Sequence, residues 1–143
     1  MTGPNAGDRD DEAPSETTRR RMSRVGSKDT GPEMRVRQTA HALGYRYRLH
    51  ARDLPGSPDL VFRGRRKVIF VHGCYWHRHP GCKRASMPST RREYWQAKFD
   101  RNVARDADAE TALREAGWDV LVVWECETKD SHGLKDRLRR FLG

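Results

Sequence analysis

The sequence is poor in apolar residues and in cysteine. Hydrophobic residues make up only 35% of the 143 residues. No run approaches the roughly 18 consecutive apolar residues of a membrane-spanning helix, and the acidic, polar first twenty residues do not resemble a secretory signal. Three cysteines are too few, and odd in number, for a disulfide framework. We therefore expect a cytoplasmic protein with a lean core, which benefits from an additional stabilising element.

Basic residues are in clear excess. Lysine and arginine total 29 against 20 acidic residues, a formal charge of +9, which favours a polyanionic partner, most simply nucleic acid. Residues 1–18 are an exception, because they combine acidic side chains with Gly, Pro, Ser and Thr. Such a segment cannot bury enough apolar surface to offset its ordering entropy, so we expect a disordered tail. The folded domain is then expected over residues 19–143.

The residue pattern of this domain predicts an α/β fold with the element order α-β-β-β-loop-α-β-α. Helices are expected at residues 32–43, 91–116 and 133–142, and strands at residues 45–50, 59–62, 67–71 and 118–124. The last two strands are continuous apolar runs and are expected to be buried. The segment 72–90, which is rich in His, Cys, Gly and Pro, is expected to be irregular. This order predicts a mixed central sheet flanked by helices, in which hairpins come first and a helical crossover follows.

The irregular loop and the end of the last strand carry all three cysteines. The candidate ligand set is Cys74, His79, Cys82 and Cys126. Thiolates and imidazole in tetrahedral groups of four are preferred zinc ligands, and zinc would fix a loop that lacks regular structure. Two alternatives stay open, namely three buried free thiols, or His72 or His77 in place of His79. With four protein ligands no position is left for a reacting water, so this zinc would be structural.

Asp59 opens a short strand next to the apolar strand 67–71. A carboxylate at the end of a sheet suits Mg²⁺, which is held by few protein oxygens together with water and phosphate. Such a cation is what phosphodiester hydrolysis needs to polarise the phosphoryl oxygen and activate water. Taken alone, Pro58-Asp59 is simply a dipeptide that starts turns. Its interpretation as a metal site depends on His72, His77 and Glu33, which are expected nearby.

Asp106 falls on the expected apolar face of the long helix, three residues beyond Val103 and seven beyond Phe99; that face continues through Ala109, Leu113 and Ala116. An acid on this face is costly unless it has a partner. A histidine oriented by such a carboxylate is a general acid–base arrangement. The alternative is an aspartate at the edge of the core that accepts a hydrogen bond from a loop amide.

Aromatic and basic side chains share the same loop. The candidate DNA-contacting residues are Tyr75, Trp76, Trp95, Lys83, Arg84 and Arg91, with Arg78 among them. Rigid aromatic side chains surrounded by arginines can wedge between bases. In the alternative interpretation, Trp76 and Trp95 only cover the sheet. The pattern predicts duplex DNA bound mainly through its phosphates and deformed locally.

Five segments, between about Thr18 and Glu127, resemble the very short patch repair (Vsr) endonucleases. They are residues 54–59 (LPGSPD), 70–77 (FVHGCYWH), 90–95 (TRREYW), 102–106 (NVARD) and 117–126 (GWDVLVVWEC). The resemblance implies a restriction-endonuclease-like fold with a zinc-stapled loop. It also implies a Mg²⁺-dependent nickase that cuts 5′ to the thymine of T:G mismatches, which arise from deamination of 5-methylcytosine.

The resemblance also implies roles for individual residues. Asp59 and the main chain of Val71 would hold magnesium, and His77 would act as general base with Asp106 as its partner. His72 and Glu33 would complete the catalytic group. The structural zinc would fall to Cys74, His79, Cys82 and Cys126, and Tyr75, Trp76 and Trp95 would intercalate beside the mismatch.

Two features depart from the family pattern. Val71 stands where a threonine is expected, so only its main-chain carbonyl can contribute to the metal site. The segment 77–82 is one residue longer than expected, which makes His79 a less certain ligand than the cysteines.

We further expect a monomer associated with the nucleoid and a functional link to a cytosine-5 DNA methyltransferase. Two other functions remain compatible with the sequence. One is a catalytically silent zinc-stapled DNA-binding module, and the other is a restriction-type endonuclease that cuts matched sites.

Overall fold

The computed structural model describes residues 30–143. Its helices are α1 (Gly31–Ala42), α2 (Arg92–Glu115) and α3 (Ser131–Leu142), and its strands are β1 (Arg48–Leu49), β2 (Leu60–Phe62), β3 (Lys67–His72) and β4 (Asp119–Trp124). Short 3₁₀ turns lie at Arg63–Arg65 and Glu125–Lys129. The predicted order of elements is confirmed over this range. The expected tail and the first residues of the expected domain lie outside the described residues.

The strands form one mixed sheet in the order β1-β2-β3-β4. β1 and β2 are antiparallel, as are β2 and β3, and β4 runs parallel to β3 after the crossover through α2. Hairpins therefore come first and the helical crossover follows, as predicted. The pairing of β3 with β4 brings the ends of these strands together, because His72 stands opposite Trp124. Cys74 and Cys126, which follow these two strands, consequently lie at the same end of the sheet.

Helices cover both faces of the sheet. On one face α1 and α3 pack against β2 and β3, in a core that contains Val36, Ala40, Leu60, Ile69, Leu134 and Leu138. On the other face α2 packs against the alternate strand residues, in a core that contains Val61, Val68, Phe70, Ala109, Leu113 and Trp118. Each fully buried aliphatic side chain contributes roughly 1.5–3 kcal/mol. The α/β class with helices on either side of a mixed sheet is confirmed.

The basic turn between β2 and β3 stabilises the ends of two helices. Arg66 donates to the carbonyl of Ala116 just after α2, at 2.7 Å. Arg65 donates to Leu142 at the end of α3, also at 2.7 Å, and Lys67 donates to Phe141. Cations are favourable at helix C-termini, where the last carbonyls lack partners and the dipole is negative. Part of the basic excess therefore serves the fold.

Three predicted features differ from the structure. The strand predicted at residues 45–50 is reduced to β1, and both of its residues are exposed because they lie on the sheet edge. Strand β4, expected to be buried, is largely half-buried because it forms the other edge. On α2, Val103 is 44% exposed and Ala116 is also exposed, so neither belongs to the apolar face.

The inward-facing stripe of α2 follows a spacing of four and three residues. Trp95 and Phe99 begin it, and Ala109 and Leu113 end it. Asn102 and Asp106 fill the two half-buried positions between them. This stripe places the Asp106 carboxylate beside the irregular loop. Within residues 30–143, no helix has the length and apolarity needed to cross a membrane.

Candidate active site and metal centre

A cleft of about 920 Å³ opens where β2 begins and β3 ends. The start of α1, the irregular loop and the middle of α2 form its other walls. Its lining includes Glu33, Asp59, Val71, His72, Tyr75, Trp76, His77 and Asp106. The structure therefore brings all five predicted catalytic side chains to one cavity, as well as two of the three aromatic residues predicted to contact DNA.

Asp59 precedes β2 at the point where the ladder between β2 and β3 ends. Its own amide donates to the carbonyl of Ile69 at 3.1 Å, and its Oδ2 accepts from the amide of Val71 at 2.7 Å. Burial raises the pKa of this carboxyl to about 6 despite that hydrogen bond, and the nearby Glu33 adds to the increase. The protein therefore compensates the negative charge of this carboxylate poorly. Under this condition a bound cation would stabilise the ionised form most.

His77 and Asp106 form a direct pair across the cleft. Nδ1 of His77 lies 2.6 Å from Oδ2 of Asp106, and both side chains are partly exposed. The loop supplies the histidine, whose amide donates to the carbonyl of Gly73 at 3.1 Å. A carboxylate on Nδ1 fixes the ring orientation and leaves Nε2 as the nitrogen that can exchange a proton with a ligand.

His72 packs against this pair from the sheet side. Its ring stacks on that of His77 with the centroids 4.0 Å apart and the planes 6° from parallel. Burial lowers the pKa of His72 to about 4, and the neighbouring His77 acts in the same direction. His72 is therefore neutral near pH 7. Its Nδ1 is buried and has no hydrogen-bond partner within residues 30–143.

Glu33 also lies near Asp59. It is buried in the first turn of α1, where Thr30 caps the helix by accepting from the Glu33 amide at 3.4 Å. Its Oε2 is 2.7 Å from the guanidinium of Arg37 and is in contact with Nε2 of His50. His50 is a residue that the sequence analysis missed. Ligand atoms of Glu33, His50 and Asp59 all lie within 4.8 Å of one another.

The predicted zinc ligands form a second group beside the cleft. The four residues are Cys74, His79, Cys82 and Cys126, and their ligand atoms lie within 4.8 Å of one another. Nδ1 of His79 is 3.7 Å from the Cys74 sulfur and 3.5 Å from the Cys126 sulfur. The competing histidines, His72 and His77, belong instead to the neighbouring group with Asp106.

The Cys₃His group fits a tetrahedral metal ion. Zn–S bonds near 2.3 Å and Zn–N bonds near 2.0–2.1 Å at tetrahedral angles separate nitrogen and sulfur by about 3.6 Å, which matches the two observed distances. Burial and the neighbouring thiols raise the pKa of Cys74 to about 12. A cation at its sulfur would favour the thiolate, as metal coordination does. The donor types and their spacing suit zinc better than a hard cation.

The loop aromatics form one cluster on α2. Tyr75 and Trp76 are partly exposed, and both rings make edge contacts with Phe99, at 5.3 and 6.1 Å between centroids. Trp95 is buried and stacks on Phe99 at 5.9 Å. The arrangement leaves Tyr75 and Trp76 accessible to a ligand in the cleft. Trp95 is less accessible and packs against Trp76 and Phe99.

The basic residues of the irregular loop and of the start of α2 differ in their contacts. Arg78 donates to the carbonyls of Tyr75, Ala85 and Ser86, and its guanidinium lies 4.0 Å from the Phe99 ring centroid. It therefore holds the loop together. Lys83 and Arg84 are exposed, and Arg91 is half-buried at the start of α2.

Glu125 is a second residue whose contribution the sequence analysis missed. Its Oε1 accepts from the Cys74 amide at 3.2 Å, and its Oε2 lies 3.6 Å from Arg84. Glu125 also lines the cleft. It joins the end of β4 to the His72–Cys74 turn, between the His72–His77–Asp106 group and the Cys₃His group. The motif Trp124-Glu125-Cys126 was the available signal, but the glutamate carried no assigned role.

Comparison with known proteins identifies the family. The family model described as "DNA mismatch endonuclease Vsr" matches residues 10–84. The Type II nicking enzyme V.XorIIP of Xanthomonas oryzae pv. oryzae is 52% identical over 121 residues, which cover 85% of this chain and 88% of the relative.

Two further relatives support the same family assignment. The Type II nicking enzyme V.NmeAIP of Neisseria meningitidis is 37% identical over 121 residues, 85% of this chain and 86% of the relative. The DNA mismatch endonuclease Vsr of Escherichia coli is 39% identical over 120 residues, 84% of this chain and 76% of the relative. A match over half of the chain, together with such extensive identity, shows that this chain belongs to the Vsr family of DNA mismatch endonucleases.

Proposed function

We propose that this protein is a Mg²⁺-dependent endonuclease that nicks duplex DNA 5′ to the thymine of a T:G mismatch and so starts very short patch repair. The observation that carries the proposal is the meeting of Asp59 with the His77–Asp106 pair in one cleft. The names of the relatives, a mismatch endonuclease and several nicking enzymes, support the same reaction class. The mixed sheet then serves as a restriction-endonuclease-like core.

Asp59 and the main-chain carbonyl of Val71 are the proposed magnesium ligands. Both offer oxygen, the donor that Mg²⁺ prefers, and phosphate and water complete its coordination in such sites. The hydrogen bond from the Val71 amide uses Oδ2 of Asp59 and so leaves Oδ1 for the cation. The poor compensation of the Asp59 charge is consistent with this assignment. When bound, Mg²⁺ stabilises charge that develops on the scissile phosphate.

His77 is the proposed general base. With Asp106 on Nδ1, the neutral ring carries its proton there and presents Nε2 to an attacking water. When His77 takes a proton from the water, its ring becomes positive. The Asp106 carboxylate, 2.6 Å away, stabilises that charge. His72 stays neutral and, through its stacked ring, limits the rotation of His77.

The Cys₃His group is proposed to hold a structural zinc ion. All four ligands come from protein, so the site offers no position for a reacting water. Its role is to fix the segment from Cys74 to Cys82, in which His77 lies. Apparent zinc binding of about 10–16 kcal/mol in zinc-finger peptides is coupled to folding. A zinc ion can therefore supply the order that a loop without helix or strand lacks.

The two partly exposed aromatic side chains of the irregular loop are the proposed elements of mismatch recognition. Tyr75 and Trp76 line the cleft and are available to stack on bases, while Trp95 braces Trp76 at 5.8 Å between centroids. A wobbled T:G pair is easier to unstack than a matched pair, so insertion of an aromatic side chain favours the mismatch. Lys83, Arg84 and Arg91 are proposed to contact phosphates, which supply affinity without reading sequence.

A T:G mismatch is asymmetric, which favours action by a monomer. A cytosine-5 DNA methyltransferase is the proposed functional partner, because deamination of its product creates this mismatch. The proposed working place is the nucleoid in the cytoplasm.

The test compares two synthetic duplexes that differ only in a T:G or T:A pair, each with and without Mg²⁺. The proposal predicts a single-strand nick 5′ to the mismatched thymine, with Mg²⁺ only. Binding without nicking under all conditions would identify a catalytically silent DNA-binding module. Double-strand cleavage of the T:A duplex would identify a restriction-type enzyme.

A further inference from the structure

His50 occupies an unusual position at the end of β1. Its amide donates to the carbonyl of Asp59 at 3.1 Å, which extends the ladder between β1 and β2 by one residue. Its φ of +48° lies in the left-handed region, which is uncommon outside glycine and is found most often at constrained sites. The backbone therefore leaves the strand at His50, and the side chain reaches α1.

The ring of His50 lies close to two carboxylates. Glu33 and Asp59 present oxygens within 4.8 Å of each other and of the ring nitrogen. Two carboxylates at this distance repel each other, and neither can leave easily because Glu33 is buried and Asp59 is fixed by the Val71 amide. The direct contact between Nε2 of His50 and Oε2 of Glu33 offsets part of that repulsion.

The contact also joins two layers of the fold. Arg37 holds Glu33 from within α1, one helical turn further along. His50 holds the same oxygen from the sheet, directly across from the backbone of Asp59. Removing the imidazole therefore removes this link between Glu33 and the strand pair that carries Asp59.

We propose that His50 is a positioning residue that keeps Glu33 beside Asp59 and thereby sets the divalent-cation affinity of the Asp59 site. This inference rests on the proposed function and adds to it a residue outside the group assigned from the family likeness. Removal of a residue that orients a metal ligand through a hydrogen bond typically weakens metal binding by about 10- to 100-fold. His50 acts through Glu33, so it is expected to affect cation binding more than the chemical step.

The test compares His50→Ala with His50→Gln, whose amide can still donate to Glu33. His132→Ala removes an exposed histidine of α3, far from the cleft in sequence, and serves as the control. The first measurement is the Mg²⁺ dependence of single-turnover nicking of the T:G duplex. The second is Ca²⁺ binding to each protein–DNA complex by calorimetry, which does not depend on catalysis. Thermal melting and DNA binding in EDTA accompany both.

His50→Ala is expected to raise the half-saturating Mg²⁺ concentration and the Ca²⁺ dissociation constant by about 10-fold or more. The rate at saturating Mg²⁺ and the DNA affinity in EDTA should change less than about threefold, and His50→Gln should restore most of the cation affinity. Unchanged cation affinity in a folded His50→Ala protein overturns the inference. So does equal loss in the Ala and Gln variants, or loss of rate without loss of affinity.

A double variant separates positioning from a general effect on the fold. If His50 acts through Glu33, then adding His50→Ala to Glu33→Gln should weaken Ca²⁺ binding by less than about threefold beyond Glu33→Gln alone. Fully multiplied effects contradict the inference. Absence of Mg²⁺-dependent nicking by the unmodified protein contradicts the proposed function itself, whereas the calorimetry still decides the role of His50.

Discussion

Two acid–imidazole pairs lie near Asp59, and they differ in exposure. In the pair formed by His77 and Asp106, the side chains are 31% and 23% exposed. In the pair formed by His50 and Glu33, they are 19% and 4% exposed, and the Arg37 guanidinium also contacts the carboxylate. The first pair is called the open pair below, and the second the closed pair.

The difference shows how one residue combination supports two roles. The open pair joins an irregular loop to a helix, and its free imidazole nitrogen can reach solvent or a substrate. The closed pair joins a helix to a strand, and its carboxylate already contacts side-chain nitrogens of both His50 and Arg37. Proton exchange requires the first arrangement, whereas a fixed geometry around a metal ligand requires the second. Side-chain identity alone would not distinguish them.

The largest predicted difference between the pairs concerns the rate of nicking. His77→Ala should reduce the single-turnover rate at saturating Mg²⁺ by about 10²- to 10⁴-fold, the usual contribution of a general base. The Mg²⁺ dependence and binding of the T:G duplex should stay near those of the unmodified protein. A rapid-quench assay on an end-labelled duplex measures the rate. A loss of less than about threefold would remove His77 from the chemical step.

Removal of the proposed zinc should affect the open pair and spare the closed pair. Cys82→Ser eliminates one ligand of the group that holds the loop, so the nicking rate should fall by about 100-fold as His77 loses its fixed position. Hydrogen exchange should become faster in residues 73–90 and remain unchanged in α1. Zinc content by mass spectrometry under non-denaturing conditions should fall from one ion per chain. Equal loss of protection in α1 would contradict this separation.

Loss of the orienting carboxylate should have a smaller effect than loss of the base. Asp106→Asn removes a charged hydrogen-bond partner worth about 1.5–3 kcal/mol, so the rate should fall by about 10- to 100-fold. The matched control is Asp108→Asn, an exposed position on the same helix. If the nicking rate of Asp106→Asn equals that of Asp108→Asn, the open pair has no role in orienting His77.

The smallest predicted effect concerns recognition, because neither pair contacts the mismatch in this account. Trp76→Ala should reduce the preference for T:G over T:A duplexes by about 10-fold, since stacking of a base on an aromatic side chain contributes about 1–3 kcal/mol. The rate on bound T:G duplex should change little. Competition binding with the two duplexes measures the preference. An equal decrease for both would indicate a general contact with DNA.

The fold was largely predictable because its signals are local. Apolar runs mark β3 and β4, and proline and glycine mark the limits of α1. The cysteine group was also predictable, because its members flank two strands that pair side by side. The error at Val103 has a specific cause. The inward-facing stripe of α2 passes through the polar residue Asn102. An assignment that follows apolar residues chooses the neighbouring Val103 instead, one position away.

The closed pair was not predictable from sequence. Alternation along residues 45–50 makes His50 a polar position on a strand, with no indication of a left-handed backbone. Only the packing of α1 on the sheet brings His50 to Glu33. The same limit applies to the basic turn, where Arg65, Arg66 and Lys67 contact helix C-termini that are distant in sequence. Such roles depend on tertiary contacts.

The most direct test of the account is removal of the carboxylate near which both pairs lie. Single-turnover nicking of a T:G duplex by Asp59→Ala should be at least about 10³-fold slower than by the unmodified protein, because the metal supplies several kcal/mol of transition-state stabilisation. Binding of the same duplex in EDTA should stay within about threefold. Nicking within tenfold of the unmodified rate would show that Asp59 does not hold the catalytic cation, and the proposed site would be wrong.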